Sequence, residues 1–346
     1  MIEKKILKIN QENNQLNPCF KYIDNFDIKN NDNRFSELFE IFKSIKEQKE
    51  YLILSNYKTN NINIISLSEN KIIKILEGHE SHITSLRYFI NDKNNCEYLI
   101  SSDQSNIVIV WDISNDYKMK IKIQIDYKDY ILSCLLIFNI NLSNYKNILV
   151  TSCSCLGYTK LYSFDSNLFL KNVQNTEKNL TNYLILWKNT KDNNYYIIEC
   201  CFKKIYIYSL LNNNEKYSEL ISEKTCNSEH FSGVLYNINE KDLLLTSSSN
   251  GYIEIWNLFN KTLFYSIKIN KSKLMDIIQW NNKYIIISDY ENQSIKIIDI
   301  MQMKIIANIS GNEIISVKKI KKIINSKYGQ GILSNGNDNL LKLWSL

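Results

Sequence analysis

Proline occurs once in the 346 residues, at Pro18, and arginine only twice, at Arg34 and Arg87. The arginine shortage works against one style of recognition. Bidentate contacts to phosphate or guanine edges rest on the guanidinium fork, and this chain has almost none to offer. Glycine is scarce too, at eight residues. Neither GxGxxG nor GxxxxGK followed by Ser or Thr occurs, so no glycine-rich loop is present to cradle a phosphate.

Histidine appears three times, as His79, His82 and His230. That is too few to supply a convincing nucleophile–base set. His79 and His82 lie close enough in sequence to share a metal, but no nearby Cys or paired carboxylate completes a tetrahedral shell. The eight cysteines contain no CxxC pair, which removes zinc-knuckle spacing and reads as the reduced thiols of an intracellular protein. Cys153 and Cys155 stand as CxC, a weak redox signal. The longest apolar run, YILSCLLIF at 130–138, is about half of what a membrane span needs. The opening MIEKKILKIN is charged and has no long apolar core, so it does not read as a secretory signal. Net charge is only +6, from 42 basic and 36 acidic residues, too little to imply nucleic acid by itself. A cytoplasmic, non-enzymatic protein with no cofactor, no metal and no membrane insertion is expected.

What the chain does have is a repeat. Three tryptophan strands follow polar turns: SSDQSNIVIVWDI (101–113), SSSNGYIEIWNL (247–258) and SNGNDNLLKLWSL (334–346). Four degenerate copies align with them, at 55–67, 152–164, 200–210 and 288–300. One bulky residue recurs late in each strand: Ile65, Trp111, Tyr162, Tyr208, Trp256, Ile298 and Trp344. The separations are 46, 51, 46, 48, 42 and 46 residues. A second register of aromatics closes an earlier strand of six units, at Phe42, Phe89, Phe138, Trp187, Tyr236 and Trp280. Each unit reads as four short strands with period-two alternation, and the fourth strands alternate Lys with Ile, as a charged outer edge requires.

These residues resemble the WD-repeat β-propeller family. Gly78 and His79 in EGHESHITSL (77–86), with Trp111 and Asp112 in IVIVWD, carry the resemblance in one unit. His230 and Trp256 echo it in another, and Asp338 with Trp344 in the last. In that family a His, a Ser or Thr, a turn Asp and the Trp form a buried hydrogen-bonded network. The turn position, taken six residues before the marker, holds Asp338 in the last unit, Ser105 in the second and Asn250 in the fifth. On that count no unit keeps His, Asp and Trp together.

The resemblance implies an all-β fold, a seven-bladed propeller of four-stranded antiparallel blades. The blades fall at about 35–76, 77–125, 126–173, 174–223, 224–269, 270–309 and 310–346, within one domain spanning 1–346. The last blade has three strands, so its fourth must come from the N-terminal segment, 1–34. CFKYIDNF (19–26) is the first choice for that closing strand and KKILKI (4–9) the alternative. Specialised signatures of propellers are missing: there is no Arg-Arg pair, and Trp111-Asp112 is followed by Ile113 and Ser114 rather than by an arginine two places on.

Function is then expected in the loops. The resemblance places partner contacts on loops between second and third strands and between blades. Those loops carry Tyr57, Lys58, His82, Gln104, Lys203, Phe231, Tyr290 and Glu291. Exposed aromatics ringed by polar groups have the chemistry of interaction hot spots. The expected function is a scaffold or adaptor binding other proteins in a multi-subunit intracellular complex. The second reading is an RNA- or ribonucleoprotein-associated propeller that uses Lys318, Lys319, Lys321 and Lys322.

Overall fold

The computed structural model describes residues 21–25, 35–69, 71–91, 95–125, 132–142, 145–153, 157–164, 171–179, 181–201, 204–210, 216–220, 228–238, 241–311, 314, 316–325, 329–337 and 341–345. Among these there is no α-helix and a single 3-10 turn, Ile113–Asn115. The chain forms seven four-stranded antiparallel sheets, the blades of a β-propeller, divided between two compact units.

A short strand, β1 (Lys21–Asn25), comes first. The unit of residues 38–219 then holds four blades. Blade one is β2 (Phe35–Lys43), β3 (Glu50–Asn56), β4 (Ile62–Ser66) and β5 (Lys71–Leu76). Blade two is β6 (Ile83–Asn91), β7 (Cys96–Asp103), β8 (Ile107–Asp112) and β9 (Lys118–Gln124). Blade three is β10 (Leu132–Leu142), β11 (Tyr145–Cys153), β12 (Gly157–Phe164) and β13 (Lys171–Asn179). Blade four is β14 (Thr181–Lys188), β15 (Tyr195–Cys201), β16 (Ile205–Ser209) and β17 (Lys216–Leu220).

The other unit joins residues 1–37 to 220–346. Blade five is β18 (His230–Ile238), β19 (Lys241–Ser248), β20 (Tyr252–Asn257) and β21 (Thr262–Lys268). Blade six is β22 (Leu274–Gln279), β23 (Tyr284–Asp289), β24 (Ser294–Asp299) and β25 (Lys304–Ser310). Blade seven has β26 (Lys319–Asn325), β27 (Gly329–Asn335) and β28 (Leu341–Ser345), and β1 completes it by pairing antiparallel with β28. Tyr22 lies opposite Trp344, inside the expected 19–26 segment. The alternative, 4–9, falls outside the described residues.

Alternation survives only where a strand has one wet face. In β9 the lysines are exposed while the isoleucines between them are half-buried, and β5 alternates too, with Ile73 and Ile75 exposed and Ile72 and Lys74 half-buried. The middle strands are buried on both faces, as in β4, β16 and β24, and they read as continuous apolar runs rather than alternating ones. All seven markers are buried, and so are Phe42, Phe89, Trp187, Tyr236 and Trp280 of the second register. Phe138 has a described backbone but lies outside the described side chains.

A bulge recurs with the repeat. The pairing of first with second strand skips one residue near its start: Thr84, Ser133, Asn182, Phe231 and Met275. A second bulge faces the marker, at Ile73, Lys120, Phe264 and Ile306 of the outer strands. Each adds local twist and turns one side chain out of the ladder.

Carboxylates, buried at Glu97 and Glu199 and half-buried at Asp276, join blades inside each unit. Glu97 on β7 accepts from the Ser44 hydroxyl (3.0 Å), the Ile45 amide (2.8 Å) and the Tyr88 hydroxyl (2.6 Å). Glu199 on β15 accepts from the hydroxyls of Thr159 and Thr181. Asp276 on β22 accepts from Ser232 of blade five (2.7 Å) and from the Ile320 amide of blade seven (3.0 Å). These carboxylates are consumed by structure.

Candidate interaction loops

Blade two contains a continuous hydrogen-bonded chain. The Trp111 indole N–H donates to Ser101 Oγ at 2.9 Å. His79 Nε2 lies 2.7 Å from the same Oγ, and His79 Nδ1 lies 2.7 Å from Asp103 Oδ2. Because Ser101 already accepts from the indole, its hydroxyl proton is directed to Nε2, and Nδ1 carries the proton donated to Asp103. The other Asp103 oxygen accepts the Ser105 and Ile107 amides at 2.9 and 3.0 Å. This corrects the expectation that no unit keeps His, Asp and Trp together. The carboxylate sits at the end of β7, eight residues before Trp111, and Ser105 at the turn is only its ligand. Gly78 lies just before this chain, where an added Cβ would displace the tip of Met119 and press on Trp111. Asp112 is buried and pairs with Lys120 at 3.2 Å.

Ser101, His79 and Asp103 share the connectivity of a nucleophile, base and orienting acid. Ser101 is fully buried and its oxygen is engaged by Trp111, so no substrate reaches it. Among the described residues no group of three or more His, Cys, Asp and Glu could hold a metal ion.

Other blades rewrite the same positions. In blade five Trp256 donates to Thr246 at 3.3 Å, and Ser248 takes the place of Asp103. His230 pairs opposite Ser248 just as Ile83 pairs opposite Asp103, so it stands in the place of Ile83 and not of His79. That corrects the match of His230 with His79; one is a strand residue, the other a loop residue that reaches down. Burial alone pushes the His230 pKa down to about 4. In blade six Asn270 stands where His79 would, donating to Asp289, and Lys296 is drawn inside at 2.9 Å from Asp289. In blade seven Trp344 donates to Ser334 at 2.7 Å, and the register puts Gly336 at the Asp103 position. Asp338 lies outside the described residues.

The expected partner-binding residues fall into two groups, one in each unit. In the unit of residues 38–219, the β3–β4 loop is pinned by Asn56, whose side-chain oxygen accepts the Lys58 and Thr59 amides at 2.9 and 3.2 Å. Tyr57 projects from it with 52% of its surface exposed. Its ring stacks on His82, centroids 3.9 Å apart and planes 8° from parallel. The His82 carbonyl in turn accepts the Gln104 amide at 2.9 Å, and His82 Nδ1 is buried with no hydrogen-bond partner. Tyr57, Lys58, His82 and Gln104 thus come from three successive loops on one end of blades one and two. In the other unit, Tyr290 and Glu291 occupy the β23–β24 loop, where the Tyr290 hydroxyl accepts from Asn337 at 2.8 Å. Asn337 carried no sequence signal. Phe231 is a bulge residue of β18, half-buried. Lys203 lies outside the described residues.

The lysines of the second reading are half-buried. Lys322 donates to the Trp280 carbonyl at 2.7 Å and sits 4.8 Å over that indole ring. Burial raises the Asp276 pKa, opposed first by the bonds from the Ile320 amide and the Ser232 hydroxyl and then by the charges of Lys319 and Lys321.

Residues 70–112 match the family model described as WD domain, G-beta repeat. The chain is a β-propeller with a WD repeat in its second blade. No curated protein matches it. BBS1N, in a crystal structure of its complex with ARL6DN, superposes on the propeller with a TM-score of 0.70 at 10% identity, over 94% of this chain and 97% of its own. The computationally designed Ika8 protein reaches 0.65 at 13% identity, over 100% of this chain and 98% of its own. At these identities the likeness is one of fold.

Proposed function

We propose that this propeller is a non-enzymatic scaffold, a subunit of a larger cytoplasmic assembly, that receives a partner protein on its loops. The observation that carries the reading is the Tyr57–His82 stack: a half-exposed aromatic held rigid by a second ring, beside Lys58 and Gln104. A pre-ordered aromatic loses little entropy on docking, which is what an interface anchor requires. Tyr290 and Glu291 extend the same loop class in the other unit, where the β18 bulge residue Phe231 is proposed with them, and Lys203 is proposed in the unit of residues 38–219. WD propellers bind other proteins, and the structurally similar BBS1N was crystallised with a protein bound. Among the described residues no helix is long and apolar enough to cross a membrane.

RNA association is the lesser reading, since Lys322 is spent on the Trp280 carbonyl and all four lysines are half-buried. The test is affinity purification of the wild type and of a Tyr57→Ala/His82→Ala variant, with partners quantified by mass spectrometry. Loss of a protein partner by the variant supports the reading. A partner list unchanged by the variant, or one dominated by RNA-dependent proteins, overturns it.

A further inference from the structure

Blades five and six enclose an apolar groove at the end of the strands opposite the Tyr290 loop. It measures about 340 Å³ and is lined by Tyr236, Lys241, Leu243, Ile255, Phe264, Ile300, Met301 and Met303. The groove has a local cause. The β21 bulge skips Phe264, turning its side chain out of the ladder, and it lines the groove together with Met301 of the β24–β25 turn. The same bulge position in blade two holds Lys120, which pairs with Asp112. Here it holds an aromatic 54% exposed, and Met301 is 60% exposed. Tyr265 and Ile305, on the two outer strands, are exposed as well. Large apolar side chains gathered on a surface mark a binding site more often than an accident of packing.

Among the described residues, the exposed charges on the rim are of one sign. Lys241 reaches over the Phe264 ring, 5.9 Å from its centroid. Exposed Lys304 follows Met303 in sequence, and exposed Lys283 is tied to the groove because its carbonyl accepts the Ile300 amide at 2.9 Å. Among the described residues, the carboxylates of this end, Asp242 and Asp299, are buried, and Asp299 faces Lys283 at 3.4 Å. An apolar slot with exposed ammonium groups around it complements an apolar side chain set among carboxylates.

We propose that this groove docks a polypeptide segment of a partner protein, one that presents a bulky aliphatic or aromatic residue flanked by Asp or Glu. The apolar residue enters between Phe264 and Met301, and the acidic neighbours meet Lys241, Lys283 and Lys304. This site is separate from the loop face and uses the opposite end of the same blades.

Dodecapeptides displayed on phage and selected on the full chain should converge on one large apolar residue between acidic ones. A fluorescein-labelled consensus peptide, titrated by anisotropy, should lose about tenfold or more in affinity with Met301→Glu and with Lys241→Glu. Both positions are exposed, so both variants should melt like the wild type. Salt at 0.5 M should weaken the wild-type complex, and Tyr57→Ala should leave it unchanged, which separates this site from the loop face. A consensus without acidic residues overturns the proposal, as does binding indifferent to both variants. Self-association, or cosedimentation with phosphatidylserine vesicles, that Met301→Glu abolishes while peptide binding persists would assign the patch to another occupant and overturn it equally.

Discussion

His79 and Asp103 lie 2.7 Å apart, nitrogen to oxygen, with both side chains buried, and through Ser101 the pair is wired to Trp111. Every polar atom of that chain has a partner inside blade two. Such networks matter less for what each bond contributes than for what is orphaned when one member goes. Ser101→Ala should therefore be costly, because it strands both the Trp111 N–H and His79 Nε2. A loss of about 2–4 kcal/mol is expected, from two buried groups left unsatisfied. Thr246→Val in blade five strands one indole from a longer, 3.3 Å bond and should cost about 1 kcal/mol. Urea denaturation of both variants checks the ranking; equal losses would remove the network as an explanation.

A second consequence concerns pH. His230 is 1% exposed and its pKa is pushed down to about 4, below the ordinary value of 6.5. The folded state thus resists protonation. Its contribution is intact above pH 6.5 and is lost as pH falls toward the folded value. Between pH 7.5 and 5 this one residue should remove about 2 kcal/mol of stability. His230→Ile copies the residue that blade two places there, Ile83, and should flatten that part of the profile. Melting temperatures of both proteins at the two pH values decide it; parallel profiles would mean that His230 is not the titrating group.

The third prediction concerns Lys296. It is nearly buried beside fully buried Asp289, which also accepts bonds from Ser272, Asn270 and Asn292. Burial by itself would raise the Asp289 pKa, but hydrogen bonds from Ser272, Lys296 and Asn292 bring it below the usual carboxylate range. Lys296→Ile leaves a buried carboxylate without its counter-ion and should cost about 3–5 kcal/mol. Adding Asp289→Asn removes the orphaned charge and should recover most of that loss. A double-mutant cycle by chemical denaturation measures the coupling. If the two losses simply add, the pair is not an energetic unit.

Much of this architecture was legible beforehand. The markers recur at a near-constant spacing because each closes the same strand of the same supersecondary unit, and all seven are buried. Position along the chain and position across the ladder are not equivalent. Asp103 ends β7 rather than standing in the turn, so a count back from the marker does not reach it. His230 was matched to His79 by sequence spacing, although strand pairing aligns it with Ile83. Lys296 and the blade-joining carboxylates Glu97, Glu199 and Asp276 had no signal, since each partner lies in another strand or another blade. Tyr57 and His82 were named separately, and only the fold stacks them. The groove was invisible because it depends on a bulge at Phe264, a matter of register that no composition reveals.

In β28, Leu341, Leu343 and Trp344 are buried, and among the described residues the strand's outer edge is covered by β1 alone, with Tyr22 opposite Trp344 and Asn25 opposite Lys342. Without that cover a row of unpaired amides and carbonyls on an apolar strand is open to other chains. Deleting residues 1–26 should turn a monodisperse protein into one that aggregates, measured by light scattering at equal concentration. General destabilisation could produce the same result, so a rescue arm is needed. A synthetic peptide spanning residues 19–26, added in excess, should restore the monomer by occupying the vacant edge, whereas a peptide spanning 4–9 should not. Replacing Asp24 by Pro within the peptide should abolish the rescue, because proline removes a ladder donor and fixes the backbone. A truncated chain that stays monomeric and melts like the full one would show that β28 needs no covering strand, and the closure would have to be assigned elsewhere.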